Sequence, residues 1–177
     1  MKKHVKKALL SGAVLCGLCG VMALAIVGGD FLTKETIAHN NVEKEKEGLV
    51  KVFGSNADYG EAIKVDDPAY PHLEKYWVVK VDSNEVGRVY RGSGRNGYGD
   101  ISLLYGLDIS FRLGNVITLA NTESYGTTLK ENYLDVIDSA SDKDAALEEV
   151  KCGATYGAKL CRSIILDGKA HYKGGAK

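Results

Sequence analysis

Four consecutive residues near the carboxyl end of the chain, Cys152-Gly153-Ala154-Thr155, have the composition of an anion-binding turn. They stand directly before a segment with helical spacing of its apolar residues. Unpaired backbone N–H groups and the positive end of the helix dipole make the start of a helix attractive to a phosphate. A threonine at this place is also a common helix cap. The four residues alone therefore allow either a phosphate site or a simple cap at Thr155.

Other residue types that perform chemistry do not form a recognisable motif. The four histidines are scattered and lack the paired spacing of a zinc site or an acid–base pair. The stretch GSGRNGYG contains G-x-G but lacks the strand, helix and lysine context of a nucleotide-binding loop. The 23 basic and 23 acidic residues cancel to a net charge of zero, so nucleic acid is not a predicted partner.

The amino-terminal part has the pattern of a membrane anchor. Residues 8–29 carry no charge, and 22 residues at about 1.5 Å each are enough to cross a hydrocarbon core of about 30 Å. Four lysines lie in residues 1–7 and Asp30 follows the apolar stretch. This charge bias predicts a cytoplasmic amino terminus, a single transmembrane helix over 8–29, and a carboxyl-terminal domain outside the cytoplasmic membrane. A cleaved signal peptide is the alternative, although the apolar stretch is long for one.

The four cysteines form two pairs. Cys16 and Cys19 lie in the apolar segment, where thiols behave as small apolar residues or approach a metal cluster shared with partner subunits. Cys152 and Cys161 fall in the exported part, where a disulfide is permitted. Their nine-residue separation gives no strong reason for a bridge, and we expect both thiols to be reduced.

The whole chain has 177 residues. This length leaves room for one domain behind the anchor. We expect a connecting helix over 30–53, a domain over 54–170 and a flexible tail over 171–177. Alternating β-formers in YWVVKVD and EVGRVYRG predict a hairpin with its turn at Ser83-Asn84. A glycine-rich loop then leads to two predicted central strands, DISLLYGLD and NVITLAN.

Helical patterns dominate the carboxyl-terminal third. Apolar residues in TTLKENYLDVID recur at helical spacing, which predicts an amphipathic helix. DAALEEV predicts a helical turn or the start of a strand. A last helix over 156–166 is expected to stop at Gly168. Strands followed by helices predict the α+β class, with a mainly antiparallel sheet flanked by helices.

Several segments together resemble one known family. They are the lysine-flanked anchor, FLTKETIAHN behind it, NGYGDISLLYGLD, NVITLANTESYG and KCGATYGAKL. In this combination the chain resembles the membrane-anchored, FMN-binding subunits of the Rnf and Na⁺-translocating NADH:quinone oxidoreductase complexes, and the shorter Rnf type is the more similar of the two. The resemblance implies that a flavin transferase esterifies FMN through its phosphate to Thr155, within a motif completed by Cys152, Gly153 and Ala154.

The chain departs from the family pattern near this threonine. Glu149 and Cys152 replace an aspartate and a hydroxyl residue of the transferase motif, and Gly157 and Ala158 replace hydroxyl residues. A second family feature, a Glu-Thr-Pro-Gly-like turn against the flavin, corresponds to residues 123–126. It implies flavin contacts by Glu123 and Ser124, and Tyr125 in place of the proline could stack on the ring.

The resemblance implies an electron-transfer subunit of an Rnf-type complex. Such a complex couples electron transfer between ferredoxin and NAD⁺ to movement of Na⁺ or H⁺, and its other membrane subunits would be the partners of this chain. Two alternatives remain open from the sequence. One is a stand-alone, membrane-anchored flavinylated carrier. The other is an anchored binding module without a cofactor, in which Thr155 only caps a helix.

Overall fold

The computed structural model describes residue 12 and residues 14–23 and 42–175. Residues 14–23 are helical and exposed, and they belong to a unit distinct from the compact unit that begins at Lys44. Within the described residues, no helix combines the length and the apolar character needed to cross a membrane. Residues 1–7, residues 30–41 and both ends of the predicted 8–29 span lie outside the described part, so the anchor stays a prediction.

The compact unit is built on one antiparallel sheet. A helix, α1 (residues 42–53), precedes six strands: β1 (Asp58–Tyr59), β2 (Ile63–Lys64), β3 (Leu73–Val81), β4 (Asn84–Asn96), β5 (Gly99–Asp108) and β6 (Leu113–Asn121). The strand order is β1-β3-β4-β5-β6, and β2 also pairs with β3. All pairings are antiparallel.

Helical segments follow the sheet. They are α2 (Gly126–Leu129), a π-helical segment (Lys130–Leu134), α3 (Asp135–Ser139), α4 (Lys143–Glu148) and α5 (Thr155–Gly175). The amphipathic helix predicted over TTLKENYLDVID is confirmed, because Leu129, Tyr133 and Ile137 are buried at helical spacing. The DAALEEV segment forms a helix, α4, rather than the start of a strand. The predicted α+β class with an antiparallel sheet is therefore confirmed.

The predicted hairpin is present between β3 and β4. Its turn consists of Asp82 and Ser83, one residue earlier than predicted, because Val81 pairs with Asn84. Both turn residues have positive φ, 51° and 67°. Positive φ at both central positions is the requirement of a type I′ turn, whose twist matches that of the two strands.

The sheet has a hydrophobic core on each face. Side chains alternate along β5, so that Ile101, Leu103 and Tyr105 join one core and Leu104 joins the other. The first core lies under α5, and the second lies under α1, where Leu49 packs against strand residues. The sheet thus separates α1 from α5.

Two predictions about the sheet were wrong. The predicted glycine-rich loop is mostly strand, since β4 continues to Asn96. A Cβ on Gly92 would lie 2.5 Å from Ile164 Cγ2, and one on Gly94 would lie 2.7 Å from Leu160 Cδ1. These glycines therefore let α5 approach the strand closely rather than form a loop. In addition, β6 is an edge strand of the described sheet and not a central one.

The predicted end of the last helix was also wrong. The helix α5 runs through Gly168 to Gly175, and Tyr172, in the predicted flexible tail, is buried. Ala176 and Lys177 lie outside the described residues. A Cβ on Gly168 would collide with the Tyr105 hydroxyl. Gly168 is thus a packing position within the helix and not its stop signal.

Replacing Gly168 with alanine is expected to lower the free energy of unfolding by about 1–2 kcal/mol. Overpacking costs about 1–3 kcal/mol and outweighs a helix-propensity gain of about 1 kcal/mol. Urea unfolding followed by circular dichroism measures the change. Gly175→Ala is the control, because its Cβ would make only an ordinary contact, 3.6 Å from Arg88 Nη1. Equal stability of the two variants would contradict this account of Gly168.

Candidate functional site

A cavity of about 230 Å³ lies at the amino-terminal end of α5. Three separate pieces of chain meet there: the β4–β5 turn, the loop after β6 and the turn before α5. The lining residues are Tyr98, Glu123, Tyr125, Gly153, Ala154, Thr155, Tyr156 and Gly157. The fold therefore brings the residues around Glu123 and Thr155, which belong to two separate sequence motifs, into one site.

The turn before α5 presents an unbonded hydroxyl to this site. Gly153 has φ of +88°, a left-handed conformation that suits glycine. The Ala154 carbonyl accepts a 3.0 Å hydrogen bond from the Ala158 N–H, so Ala154 occupies the cap position and Thr155 is the first helical residue. In the described part of the chain the Thr155 hydroxyl has no hydrogen-bond partner. Thr155 is therefore not the side-chain cap of α5.

Glu123 provides an oriented, buried carboxylate. Only 7% of its surface is exposed. Its Oε1 accepts a 2.5 Å hydrogen bond from Asn96 Nδ2, and Asn96 Oδ1 in turn accepts one of 2.8 Å from the Tyr98 N–H. The other carboxylate oxygen, Oε2, is buried without a partner among the described residues. A buried acceptor without a protein partner is uncommon, and such an atom is normally satisfied by a water molecule or by a ligand.

Gly157 makes room for this carboxylate in the first turn of α5. A Cβ on Gly157 would collide with Glu123 Oε2 and would lie 2.8 Å from Oε1. The carboxylate thus sits beside the positive end of the α5 dipole, which stabilises a negative charge. The lack of a side chain at Gly157 thus leaves the space that the Glu123 carboxylate occupies.

Three tyrosines surround the mouth of the cavity. Tyr98, Tyr125 and Tyr156 are 43%, 53% and 65% exposed. The ring of Tyr98 lies 5.7 Å from that of Tyr125 and 5.6 Å from that of Tyr156, measured between centroids. We call these residues the tyrosine rim. Exposed aromatic rings in mutual contact offer apolar surface and a polar edge to a flat ligand.

Four of the six predicted cofactor-binding residues line the cavity: Gly153, Ala154, Thr155 and Glu123. The other two do not. Ser124 lines a neighbouring cavity of about 340 Å³, and its N–H donates to the Tyr98 carbonyl at 3.1 Å. Cys152 packs against the core, and its carbonyl accepts from Asn132 Nδ2 at 3.3 Å.

Two tyrosines of the rim were missed by sequence reasoning. Tyr98 stands between two glycines in a short turn, and Tyr156 directly follows the threonine of the motif. A tyrosine between two glycines and a tyrosine next to the motif threonine both indicate exposed aromatic rings near the site. The predicted stacking candidate, Tyr125, does lie at the cavity beside them.

The two cysteines nearest the site are free thiols, as predicted. Burial raises the pKa of the Cys161 thiol far above its usual range, and nearby Glu123 and Cys152 raise it further. Because the thiolate is the reactive form, a raised pKa keeps Cys161 unreactive at neutral and mildly alkaline pH. Cys152 is only half-buried.

Iodoacetamide at pH 8 is therefore expected to alkylate Cys152 and to spare Cys161. Peptide mass spectrometry measures the modification of each cysteine. In guanidinium chloride both should react, because unfolding exposes Cys161 and returns its pKa to the ordinary value. Equal alkylation of the two thiols in the folded chain would show that Cys161 is not buried between α5 and the sheet.

No family model matches the chain, and no curated protein shows significant similarity to it. The geometry of the cavity is consequently the main evidence on what it binds. The Thr155 hydroxyl at a helix start suits a phosphate, the free Glu123 oxygen suits an N–H or O–H donor, and the tyrosine rim suits a flat ring. These residues fit an FMN. At about 230 Å³ the cavity is smaller than pockets for ligands of that size, about 300–1,000 Å³, so part of the ligand would rest on the rim.

Proposed function

We propose that this chain is an electron-transfer subunit that carries FMN esterified to Thr155. One observation carries the proposal: an unbonded threonine hydroxyl at the start of α5 shares a cavity with a buried free acceptor and exposed aromatic rings. The resemblance of KCGATYGAKL and NTESYG to the FMN-binding subunits supports the same assignment.

Each part of the site has a role in this proposal. Thr155 tethers the phosphate, and the backbone N–H groups at the start of α5 attract it. Glu123 accepts a hydrogen bond from the ligand, and the tyrosine rim covers one side of the ring. When bound, the flavin supplies the electron-transfer chemistry, while the protein sets its orientation and its solvent access.

The proposal extends to the surroundings of the domain. Residues 8–29 would anchor the chain in the cytoplasmic membrane, with the domain on the outer side. The partners would be the other membrane subunits of an Rnf-type, ion-translocating ferredoxin:NAD oxidoreductase. A flavin transferase would act on the chain during maturation and would have to accept Glu149 and Cys152 in its recognition motif.

Co-expression of the chain with a flavin transferase tests the cofactor. A denaturing gel should show a fluorescent band, and the peptide containing Thr155 should gain the mass of FMN minus water. A chain that stays colourless beside a transferase that modifies its own substrate would overturn the proposal. Co-purification with neighbouring membrane subunits tests the complex, and a chain that purifies alone from its native membrane would instead be a stand-alone carrier.

A further inference from the structure

The turn between β4 and β5 contains the only asparagine of the chain that is followed by glycine, Asn96-Gly97. Asn96 pairs with Gly99, so Gly97 and Tyr98 form the turn. Gly97 is exposed, and a Cβ on it would meet no described atom within 4 Å. Its N–H has no hydrogen-bond partner in the described part of the chain. The backbone nitrogen of Gly97 is therefore open to solvent and unobstructed.

The side chain of Asn96 is held beside this nitrogen. Its Oδ1 accepts a 2.8 Å hydrogen bond from the Tyr98 N–H, a bond that asparagine commonly makes to the residue two positions on. The bond closes a small ring that contains both the Asn96 Cγ and the Gly97 nitrogen, so these two atoms stay close together. A donor in this place also stabilises negative charge that develops on Oδ1 when a nucleophile attacks the carbon. Proximity and a preplaced donor both favour an intramolecular reaction.

The Asn96 Cγ and the Gly97 nitrogen can react to convert the amide into an acid. Once solvent hydroxide removes its proton, the Gly97 nitrogen bonds to Cγ, and a tetrahedral oxyanion forms on Oδ1. The Cγ–Nδ2 bond then breaks, Nδ2 takes a proton from water and leaves as ammonia, and a cyclic succinimide remains. Water opens this ring at either carbonyl and gives an aspartate or an isoaspartate. The net reaction consumes one water, releases one ammonia and needs no oxidant or reductant.

We infer that Asn96 is a site of spontaneous deamidation and that the product opens the β4–β5 turn at the cavity. In the amide form, Asn96 Nδ2 donates to Glu123 Oε1. In the acid form a second carboxylate oxygen replaces this donor, and adjacent carboxylates repel each other. An isoaspartate also lengthens the main chain, which disrupts the pairing with Gly99. Either product displaces the Tyr98 ring from the tyrosine rim, whichever ligand the cavity takes.

Ageing of the full chain at pH 9, followed by peptide mass spectrometry, tests the modification. The peptide containing Asn96 is expected to gain the mass of an amide-to-acid exchange, divided between aspartate and isoaspartate forms that chromatography separates. Conversion at Asn56, which is exposed but precedes alanine, should be slower by about tenfold or more, because a side chain crowds the attacking nitrogen. The rate at Asn96 should fall at pH 6, because less of the Gly97 nitrogen is deprotonated.

Gly97→Ala is the matched variant for the chemical step. The added methyl group crowds the attacking nitrogen, so conversion at Asn96 should slow by about tenfold or more. The methyl group fits the turn, since the φ of Gly97 is not positive and the space beside it is open among the described residues. The Tm of this variant should therefore not fall below that of the unaltered chain.

Asn96→Asp supplies the product directly, and thermal unfolding measures its effect. At pH 7 its Tm is expected to lie about 3–8 °C below that of the unaltered chain, because a hydrogen bond to Glu123 is lost and repulsion replaces it. The difference should shrink as the pH falls toward 4, because one proton shared between the two carboxyl groups removes the repulsion. Asn56→Asp keeps the acceptor for the Ser55 hydroxyl and should leave Tm unchanged.

Three results would overturn the inference. The first is an Asn96 amide that survives in the folded chain while it converts in guanidinium chloride. The second is conversion of Asn56 at the same rate as Asn96, and the third is an equal Tm for Asn96→Asp and Asn56→Asp. Should Asn96→Asp fail to fold when it is produced, the aged chain carries the same product, and its Tm decides.

Discussion

Replacing Thr155 with valine is expected to abolish covalent flavin attachment, reducing in-gel fluorescence to background in a chain co-expressed with a flavin transferase. Valine has nearly the same shape but no hydroxyl, so no phosphoester can form. The Thr155 hydroxyl has no hydrogen-bond partner in the described structure, and Ala154 is the cap of α5. Stability should therefore change by less than about 0.5 kcal/mol, which separates loss of attachment from loss of folding.

Two further variants make this experiment specific. Thr155→Ser keeps a hydroxyl and should retain fluorescence. Thr127→Val removes an exposed hydroxyl beside the neighbouring cavity and should be modified like the parent chain. Fluorescence of Thr155→Val equal to that of the parent would move the attachment to another residue, Cys152 included, and peptide mass spectrometry would locate it.

Replacing Tyr105 with alanine is expected to lower the free energy of unfolding by about 3–5 kcal/mol, as for other large aromatic residues in cores. Tyr105 is fully buried, and its ring stacks on that of Tyr90 with centroids 5.9 Å apart. Its hydroxyl donates a 2.7 Å hydrogen bond to the Ile164 carbonyl. The variant would leave a cavity between the sheet and α5 and a buried carbonyl without this donor. Urea denaturation measures the loss.

Two controls separate the contributions to this loss. Tyr105→Phe keeps the ring and removes only the hydrogen bond, so it should cost about 1–2 kcal/mol. Tyr156→Ala removes a tyrosine that is 65% exposed, so it should change stability by about 0.5 kcal/mol or less. A loss for Tyr105→Ala no larger than that for Tyr156→Ala would mean that α5 does not depend on this contact.

Local patterns in the sequence predicted the elements whose cause is local. The hairpin follows from β-forming residues on both sides of a short polar turn, and Leu129, Tyr133 and Ile137 have the spacing of a helix face. The π-helical segment (Lys130–Leu134) shifts the spacing of the buried residues by one position, and only within that segment. The pattern of apolar residues therefore still indicated a helix. These features need no knowledge of the rest of the fold.

The errors came from contacts between distant residues. Gly92 and Gly94 resemble loop residues in the sequence, but they belong to β4 because Leu160 and Ile164 of α5 need the space above them. Gly168 resembles a helix stop, but the Tyr105 hydroxyl occupies the place of its missing side chain. Glycine has both uses, and only the tertiary partner distinguishes them.

The sequence likewise predicted only part of the site. Thr155 and Glu123 came from motifs, and the fold places both at one cavity. Tyr98 and Tyr156 were not predicted, because membership in the rim depends on how three distant turns meet. The sequence also did not predict that one carboxylate oxygen of Glu123 lacks a partner, because this depends on the orientation of Asn96.

The separation of α1 and α5 by the sheet has a practical consequence for spectroscopy. Trp77 is the only tryptophan in the chain, and it is buried in the core beneath α1, with the Lys75 ammonium 5.0 Å from its ring centroid. Indole emission therefore reports whether the first helix is docked, and a red shift would signal its release. Because the sheet lies between Trp77 and α5, a change confined to the α5 face should leave this emission unaltered.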